Sequence, residues 1–124
     1  LMELKLYRCA HCGNVAFKLV DKGVPLFCCG QKMDELVPNT TDGALEKHVP
    51  AVSRDGKEVS VQVGSVIHPM LEEHYIQIIA AAAGDTVTFK LPKPGDEPVL
   101  KVSSEAPVTA YELCNLHGFW KGNE

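Results

Sequence analysis

No stretch of this chain is apolar enough to cross a membrane as a helix. The longest uninterrupted apolar run, residues 78–83, is six residues and mostly alanine, against the roughly 20 that a spanning helix needs. The first eight residues alternate charged and apolar side chains. They lack the basic start, apolar stretch and cleavage site of a secretory leader, so the expectation is a cytoplasmic protein. Aromatic residues are few, with a single tryptophan among them. No basic run interleaves with those aromatics, and the net charge is −4, a balance that excludes nucleic acid as a natural partner. An anionic substrate would need a local positive field, because the chain as a whole repels it.

Long amphipathic periods are also missing. Instead, ten glycines and eight prolines punctuate segments rich in Val and Thr, the composition of short strands and turns, and an all-β class follows. Val59, Val61 and Val63 alternate with Ser60 and Gln62, and Val87, Phe89 and Leu91 alternate with Thr86, Thr88 and Lys90. Both patterns carry a strand's period of two. Residues 75–79, 99–102 and 108–113 supply further extended segments, at a spacing that predicts a β-sandwich. The alanine run 80–83 reads as a tightly packed strand end. Residues 37–43, Val-Pro-Asn-Thr-Thr-Asp-Gly, are turn chemistry with little apolar content and predict a linker. The expected domains are therefore 1–37 and 38–124. The first is too short to bury a sufficient core and needs a metal, disulfides or a partner chain.

Five cysteines stand against this plain background, four of them within the first 29 residues and the fifth at position 114. In a reducing compartment such clustering points to metal or redox chemistry more than to disulfides. Cys9-Ala10-His11-Cys12 places two thiols on one turn, and Cys28-Cys29-Gly30 offers two more. Four thiolates complete a tetrahedral shell, for zinc or for iron. A redox disulfide pair is the competing reading. Gly13 and Gly30, directly after each pair, suit a backbone that curls around an ion. The adjacent Cys28 and Cys29 are unusual, since neighbouring side chains diverge and both reach one ion only in a distorted shell. His11 is expected to be an exposed turn residue.

The other four histidines all lie in the second segment: Glu46-Lys47-His48-Val49-Pro50, His68-Pro69-Met70, Glu73-His74-Tyr75 and Cys114-Asn115-Leu116-His117-Gly118. Cys114 and His117 at i, i+3 form a turn able to offer two donors to one ion. Prolines beside His68 and near His48 restrict the backbone that carries those rings. Four imidazoles and one thiolate exceed the four donors of a structural zinc site. They suit a six-coordinate metal with one open position, and a single thiolate pushes electron density toward a bound oxygen species. The set reads as redox chemistry on a small oxygen ligand. Beside such a position, Lys47 would supply the field that attracts an anion, and Glu46 would occupy the open position when the metal is oxidised.

Taken in this order, Cys9-x-x-Cys12, Cys28-Cys29, Glu46-Lys47-His48-x-Pro50, His68-Pro69-Met70, His74-Tyr75 and Cys114-Asn115-Leu116-His117-Gly118 resemble the motifs of the desulfoferrodoxin family of superoxide reductases over essentially the whole chain. The resemblance implies a desulforedoxin-like iron domain followed by an immunoglobulin-like β-sandwich, in a homodimer. It implies two iron ions per chain: one held by Cys9, Cys12, Cys28 and Cys29, the other by His48, His68, His74 and His117 in a plane with Cys114 on the axis. The implied activity is one-electron reduction of superoxide to hydrogen peroxide without release of dioxygen, with rubredoxin as the usual electron donor. One departure is visible. The family pattern leads to a tryptophan after the His-Tyr pair, whereas Ile76-Gln77-Ile78-Ile79 follows here and the only tryptophan is Trp120. Two rivals remain on the sequence alone, a non-catalytic iron electron-transfer protein and a structural zinc protein.

Overall fold

The computed structural model describes residues 3–124, and their regular structure is almost entirely strand. The chain separates into two compact units, one formed by Leu4–Val37 and a larger one built on Pro38–Glu124.

In the smaller unit β1 (Leu6–Arg8) lies between β2 (Val15–Phe17) and β5 (Asp34–Glu35), both antiparallel to it. A minimal hairpin of β3 (Phe27–Cys28) and β4 (Gln31–Lys32) completes it. Its buried apolar side chains are Leu4, Leu6, Cys9 and Met33, while Leu19, Val20, Val24 and Phe27 stand exposed. So small a core is what the sequence predicted for a segment that needs further help to fold. Its strands are only two or three residues long.

The larger unit opens with a single helical turn, α1 (Leu45–His48), and continues through β6 (Pro50–Asp55), β7 (Glu58–Val63), β8 (Ile76–Ala83), β9 (Thr86–Lys90), β10 (Val99–Ser103), β11 (Thr109–Cys114) and β12 (Gly118–Asn123). They form two antiparallel sheets, β10-β7-β6 and β12-β11-β8-β9. The sheets close over a shared core of Val59, Val61 and Val63 from β7, Ile76, Ile79 and Ala81 from β8, Leu100 from β10 and Ala110 and Cys114 from β11. This is the expected sandwich. The period-two alternation of β7 is realised, with its three valines inward and Ser60 and Gln62 only half-buried. Ala80, Ala81 and Ala82 are buried in the second half of β8, where small side chains let neighbouring strands pack closely.

One irregularity in the sheet bears on function. Leu113 pairs with Ile78, but the next residue, Cys114, pairs with Ile76, so Gln77 is an extra residue in β8. A bulge of this kind re-aims side chains. It explains how Ile76 and Ile79, three positions apart, both face the core, and it sets Cys114 at the end of β11 facing inward.

The two units divide after Val37, within the segment 37–43 expected as a linker, and the rest of that segment is bonded to β12. Asn39 donates its backbone N–H to the Phe119 carbonyl at 2.9 Å and its side-chain amide to the Lys121 carbonyl at 3.2 Å, and its side-chain oxygen accepts from Lys121 N–H at 2.9 Å. Two residues on, the Thr41 hydroxyl donates to the carbonyl of His117. Asn and Thr side chains bond backbone well, and here they strap the turn-rich segment along β12. The residues at 31–35, 45–48, 50–55 and 118–123 form elements that the strand patterns did not anticipate.

Candidate metal centres

The four thiols of the smaller unit converge, with all four Sγ atoms within 4.8 Å of one another and none in a disulfide. Cys9 and Cys12 sit on the turn after β1, closed by Gly13 N–H donating to the Cys9 carbonyl at 3.0 Å. Cys12 Sγ is 3.6 Å from Cys28 Sγ, and Cys28 Sγ is 4.0 Å from Cys29 Sγ. Sulfurs at 2.3 Å around a tetrahedral ion would lie about 3.8 Å apart, so the spacing fits an ion at the centre.

The divergence expected of Cys28 and Cys29 is resolved by the backbone. Cys29 adopts φ 53 and Gly30 φ 71, left-handed conformations that curl the chain and turn both thiols the same way. Backbone N–H groups of Cys12 and Asn14 donate to Cys9 and Cys12 Sγ at 3.5 and 3.4 Å. The Cys12 amide is the chief cause that lowers the Cys9 pKa to about 6. Conversely, the neighbouring thiols, Cys12 first, push Cys29 up to about 12. Four sulfurs so close cannot all ionise without a cation among them. His11 is exposed in this turn and stands outside the group, as expected.

In the larger unit His48, His68, His74, His117 and Cys114 bring one donor atom each to within 4.8 Å of the others. His48 ends α1, His68 and His74 lie in the connection from β7 to β8, and Cys114 and His117 flank the turn between β11 and β12. The rings form a closed square. Each neighbouring pair is edge-on, with centroids 4.7 Å apart for His48–His68, 4.6 Å for His68–His74, 4.9 Å for His74–His117 and 4.7 Å for His48–His117. The diagonal pair His48–His74 is wider, 6.4 Å, and near-parallel. Cys114 Sγ lies 3.5 Å from His68 Nε2 and 3.9 Å from His117 Nδ1.

The protonation pattern shows what this square is for. His48 Nδ1 lies 2.8 Å from the Ala44 carbonyl and His68 Nδ1 2.6 Å from the Pro69 carbonyl, so each places its proton on Nδ1 and leaves Nε2 as a bare acceptor. Those two Nε2 atoms face each other at 3.2 Å, lone pair against lone pair, and His48 Nε2 also lies 3.1 Å from His117 Nδ1. His74 Nε2 is buried and has no hydrogen-bond partner. Adjacent nitrogens bound to one ion at about 2.1 Å would be separated by about 3 Å. The donor set therefore fits a metal ion and fits little else. Carbonyl partners on the far ring nitrogens are the outer support that metal-bound imidazoles use.

Burial lowers the pKa of His48 and His74 and takes His68 to about 4, which keeps the rings neutral and ready to bind. His48, His68 and Cys114 are buried, whereas His74 and His117 are only half-buried, so the square has an accessible side. Loops are stitched around it: Val66 N–H donates to the Glu46 carbonyl at 2.8 Å, and the Ser65 hydroxyl donates to the same atom at 3.2 Å. Gly64 fits between these pieces because a Cβ there would lie 2.7 Å from that carbonyl.

Glu46 and Lys47 are exposed on α1, immediately before His48. The Glu46 carboxylate is not among the converging donors. The Lys47 charge is one of the influences that lower the His74 pKa, after burial, and the Glu46 charge opposes the lowering at His48. Three residues around the square escaped the sequence reading: Asn115, Thr41 and Trp120, each bonded to a ligand-bearing segment. Their nearness to ligands in sequence, as in Asn115 between Cys114 and His117, was the available signal.

Comparison with known proteins agrees with this geometry. Residues 40–123 match the desulfoferrodoxin family. Over 120 residues the chain is 43% identical to the desulfoferrodoxin of Nitratidesulfovibrio vulgaris, covering 96% of this chain and 95% of that one. A desulfoferrodoxin homolog from Archaeoglobus fulgidus is 42% identical over 119 residues, 95% of each. Among solved structures, the superoxide reductase from Treponema pallidum matches with a TM-score of 0.79 and 32% identity, over 98% of this chain and 100% of that one. Sequence, fold and donor set together establish that the chain belongs to the desulfoferrodoxin family.

Proposed function

We propose that this protein is a superoxide reductase whose reaction takes place at the square of His48, His68, His74 and His117 above Cys114. The observation that carries the reading is the convergence of five donors, with the bare Nε2 atoms of His48 and His68 3.2 Å apart and His74 Nε2 left without a partner. Iron held there would supply one electron, which with two protons converts superoxide to hydrogen peroxide. The chain's own residues do the rest. His48 and His68 turn bare Nε2 atoms toward the centre, their tautomers fixed by the Ala44 and Pro69 carbonyls on the far side. Cys114 offers a thiolate from within the core. Lys47, exposed ahead of His48, draws the anion toward the accessible side. Glu46, exposed just ahead of His48, would offer a carboxylate oxygen to the metal in its oxidised form.

Our reading of the smaller unit, residues 1–37, is a desulforedoxin-like domain with a second iron among Cys9, Cys12, Cys28 and Cys29, and of 38–124 the catalytic domain. Exposed Leu19, Val20, Val24 and Phe27 support a homodimer, since a unit with so few buried residues gains from covering them. Cysteines used as metal ligands suit the reducing cytoplasm. A rubredoxin or similar small one-electron carrier would be the donor, and removal of superoxide in oxidative stress the role.

The deciding experiment combines iron analysis with superoxide consumption. Two irons per chain and hydrogen peroxide formed without dioxygen are expected. Dioxygen release, or zinc in place of iron in protein from its native host, would sink the proposal. A mere electron carrier would keep a closed shell, so azide binding to the oxidised second centre separates it from a reductase.

A further inference from the structure

We infer that Trp120 is a positioning residue of the second metal centre, bracing His48 and His117 with one side chain; the inference rests on the reading of that centre as a metal site. Trp120, the single tryptophan of the chain, is 1% exposed on β12. Its ring system stacks on His48, with centroids 5.1 Å apart and planes inclined by 29°. Its Nε1–H donates to the His117 carbonyl at 3.0 Å, the same oxygen that accepts the Thr41 hydroxyl.

His48 and His117 are neighbouring corners of the square, 69 positions apart in sequence, with Nε2 and Nδ1 separated by 3.1 Å. The bond from His48 Nδ1 to Ala44 fixes one point of its ring and leaves rotation about that line. A flat partner against the ring face removes the rotation. The indole N–H then ties the same side chain to the backbone of the second ligand. An apolar core filler would supply neither the plane nor the donor. The remaining side is closed by the strapped segment, where a Cβ on Gly43 would lie 3.1 Å from Trp120 Cζ2 and 3.2 Å from His48 Nδ1. Donor atoms must be held to a few tenths of an ångström for tight binding, and such outer partners are worth about 10- to 100-fold in metal affinity.

The test uses metal-free full-length chain titrated with cobalt(II) under reducing, anaerobic conditions. Filling of the second centre is read in every variant from its own visible cobalt bands, and in chains that keep the lone tryptophan also from quenching of its fluorescence, while the bands of cobalt in the four-thiolate centre follow the other unit as an internal control. Trp120→Leu removes both the plane and the donor and should weaken the second centre about 10- to 100-fold. Trp120→Phe keeps a ring against His48 and should lose less. Gly43→Ala retains the fluorophore, presses on both rings, and should shift the cobalt spectrum of the second centre alone. If Trp120→Leu does not fold, the other two variants carry the comparison. Folded variants with wild-type affinity and spectrum at the second centre would overturn the inference while leaving the metal reading intact. Wild-type chain whose second centre takes no cobalt would overturn both.

Discussion

Asn115 and Tyr75 exchange a pair of hydrogen bonds: Tyr75 N–H donates to the Asn115 side-chain oxygen at 2.9 Å, and Asn115 N–H donates to the Tyr75 carbonyl at 3.1 Å. The Asn115 amide also donates to the Glu73 carbonyl at 3.0 Å. One side chain, adjacent to Cys114, thus grips both residues that flank His74. Asn115→Ala leaves those backbone groups unpaired and should cost about 1–3 kcal/mol, seen as a lower Tm. Iron should also leave the second centre faster on dialysis against a chelator. Asn115→Asp retains the acceptor and should fall between. Unchanged iron retention in the alanine variant would show that His74 needs no such clamp.

Much of this site was legible because its chemistry demands particular residue types. Histidine and cysteine are rare enough that four imidazole-bearing motifs and Cys114 stood out, and the structure joins all five. The valines of β7 were equally plain, since period two leaves one face apolar. What escaped were residues whose signal is shared with ordinary loops. Asn39 and Thr41 looked like turn chemistry, and only tertiary contact with β12 shows them as straps. Pro50 hid the start of β6, although a proline at a strand's first residue is permitted. Glu112 was readable in principle: with Ala110 and Cys114 inward, the same period turns Glu112 inward too. It is 0% exposed with both carboxyl oxygens unpartnered, and burial pushes its pKa up to about 9, so it is carried as the neutral acid.

Lys47 should act on the rate of encounter more than on the folded structure, because its side chain is exposed on α1. In Lys47→Ala the second-order rate with superoxide should fall about 10-fold at low ionic strength, and the deficit should shrink as salt screens the field. Stopped-flow or pulse-radiolysis kinetics over a salt series measures this. A rate unchanged and independent of salt would remove Lys47 from the mechanism.

The smaller unit should depend on its metal far more than the larger one does. Leu4–Val37 buries only four apolar side chains, whereas Pro38–Glu124 has a two-sheet core of its own. In Cys12→Ser, or after chelation, the 34 residues of the smaller unit should lose ordered structure, because metal binding supplies their folding free energy. Limited proteolysis should then cut within that segment and leave the sandwich whole, with its histidine square still able to bind metal. Resistance of the metal-free segment to protease would contradict this.

The last strand of the sandwich is fastened by charge, and the fastening has a pH signature. Arg54 on β6 donates from Nε and Nη2 to the two carboxylate oxygens of Glu124 at 2.6 and 2.7 Å, while Val108 N–H donates to the same carboxylate at 2.8 Å. The remaining guanidinium hydrogens reach the Gly56, Ser104 and Ala106 carbonyls. Arg54, followed by the Val108 amide, lowers the Glu124 pKa from 4.5 to about 2. A carboxyl whose folded pKa is depressed adds stability that is complete above the unfolded value and is lost as pH falls through the folded one. The contribution should therefore be intact at neutral pH, decline below about 4.5 and vanish near 2. Glu124→Gln should lower Tm by a few degrees at pH 7, and the two melting curves should converge on acidification. Because β12 carries Trp120 toward His48 and follows directly from His117, loosening its far end also tests how rigidly the strand holds the square. A Tm difference that persists undiminished at pH 2 would mean that the carboxylate charge contributes nothing and that packing of the side chain alone secures the strand.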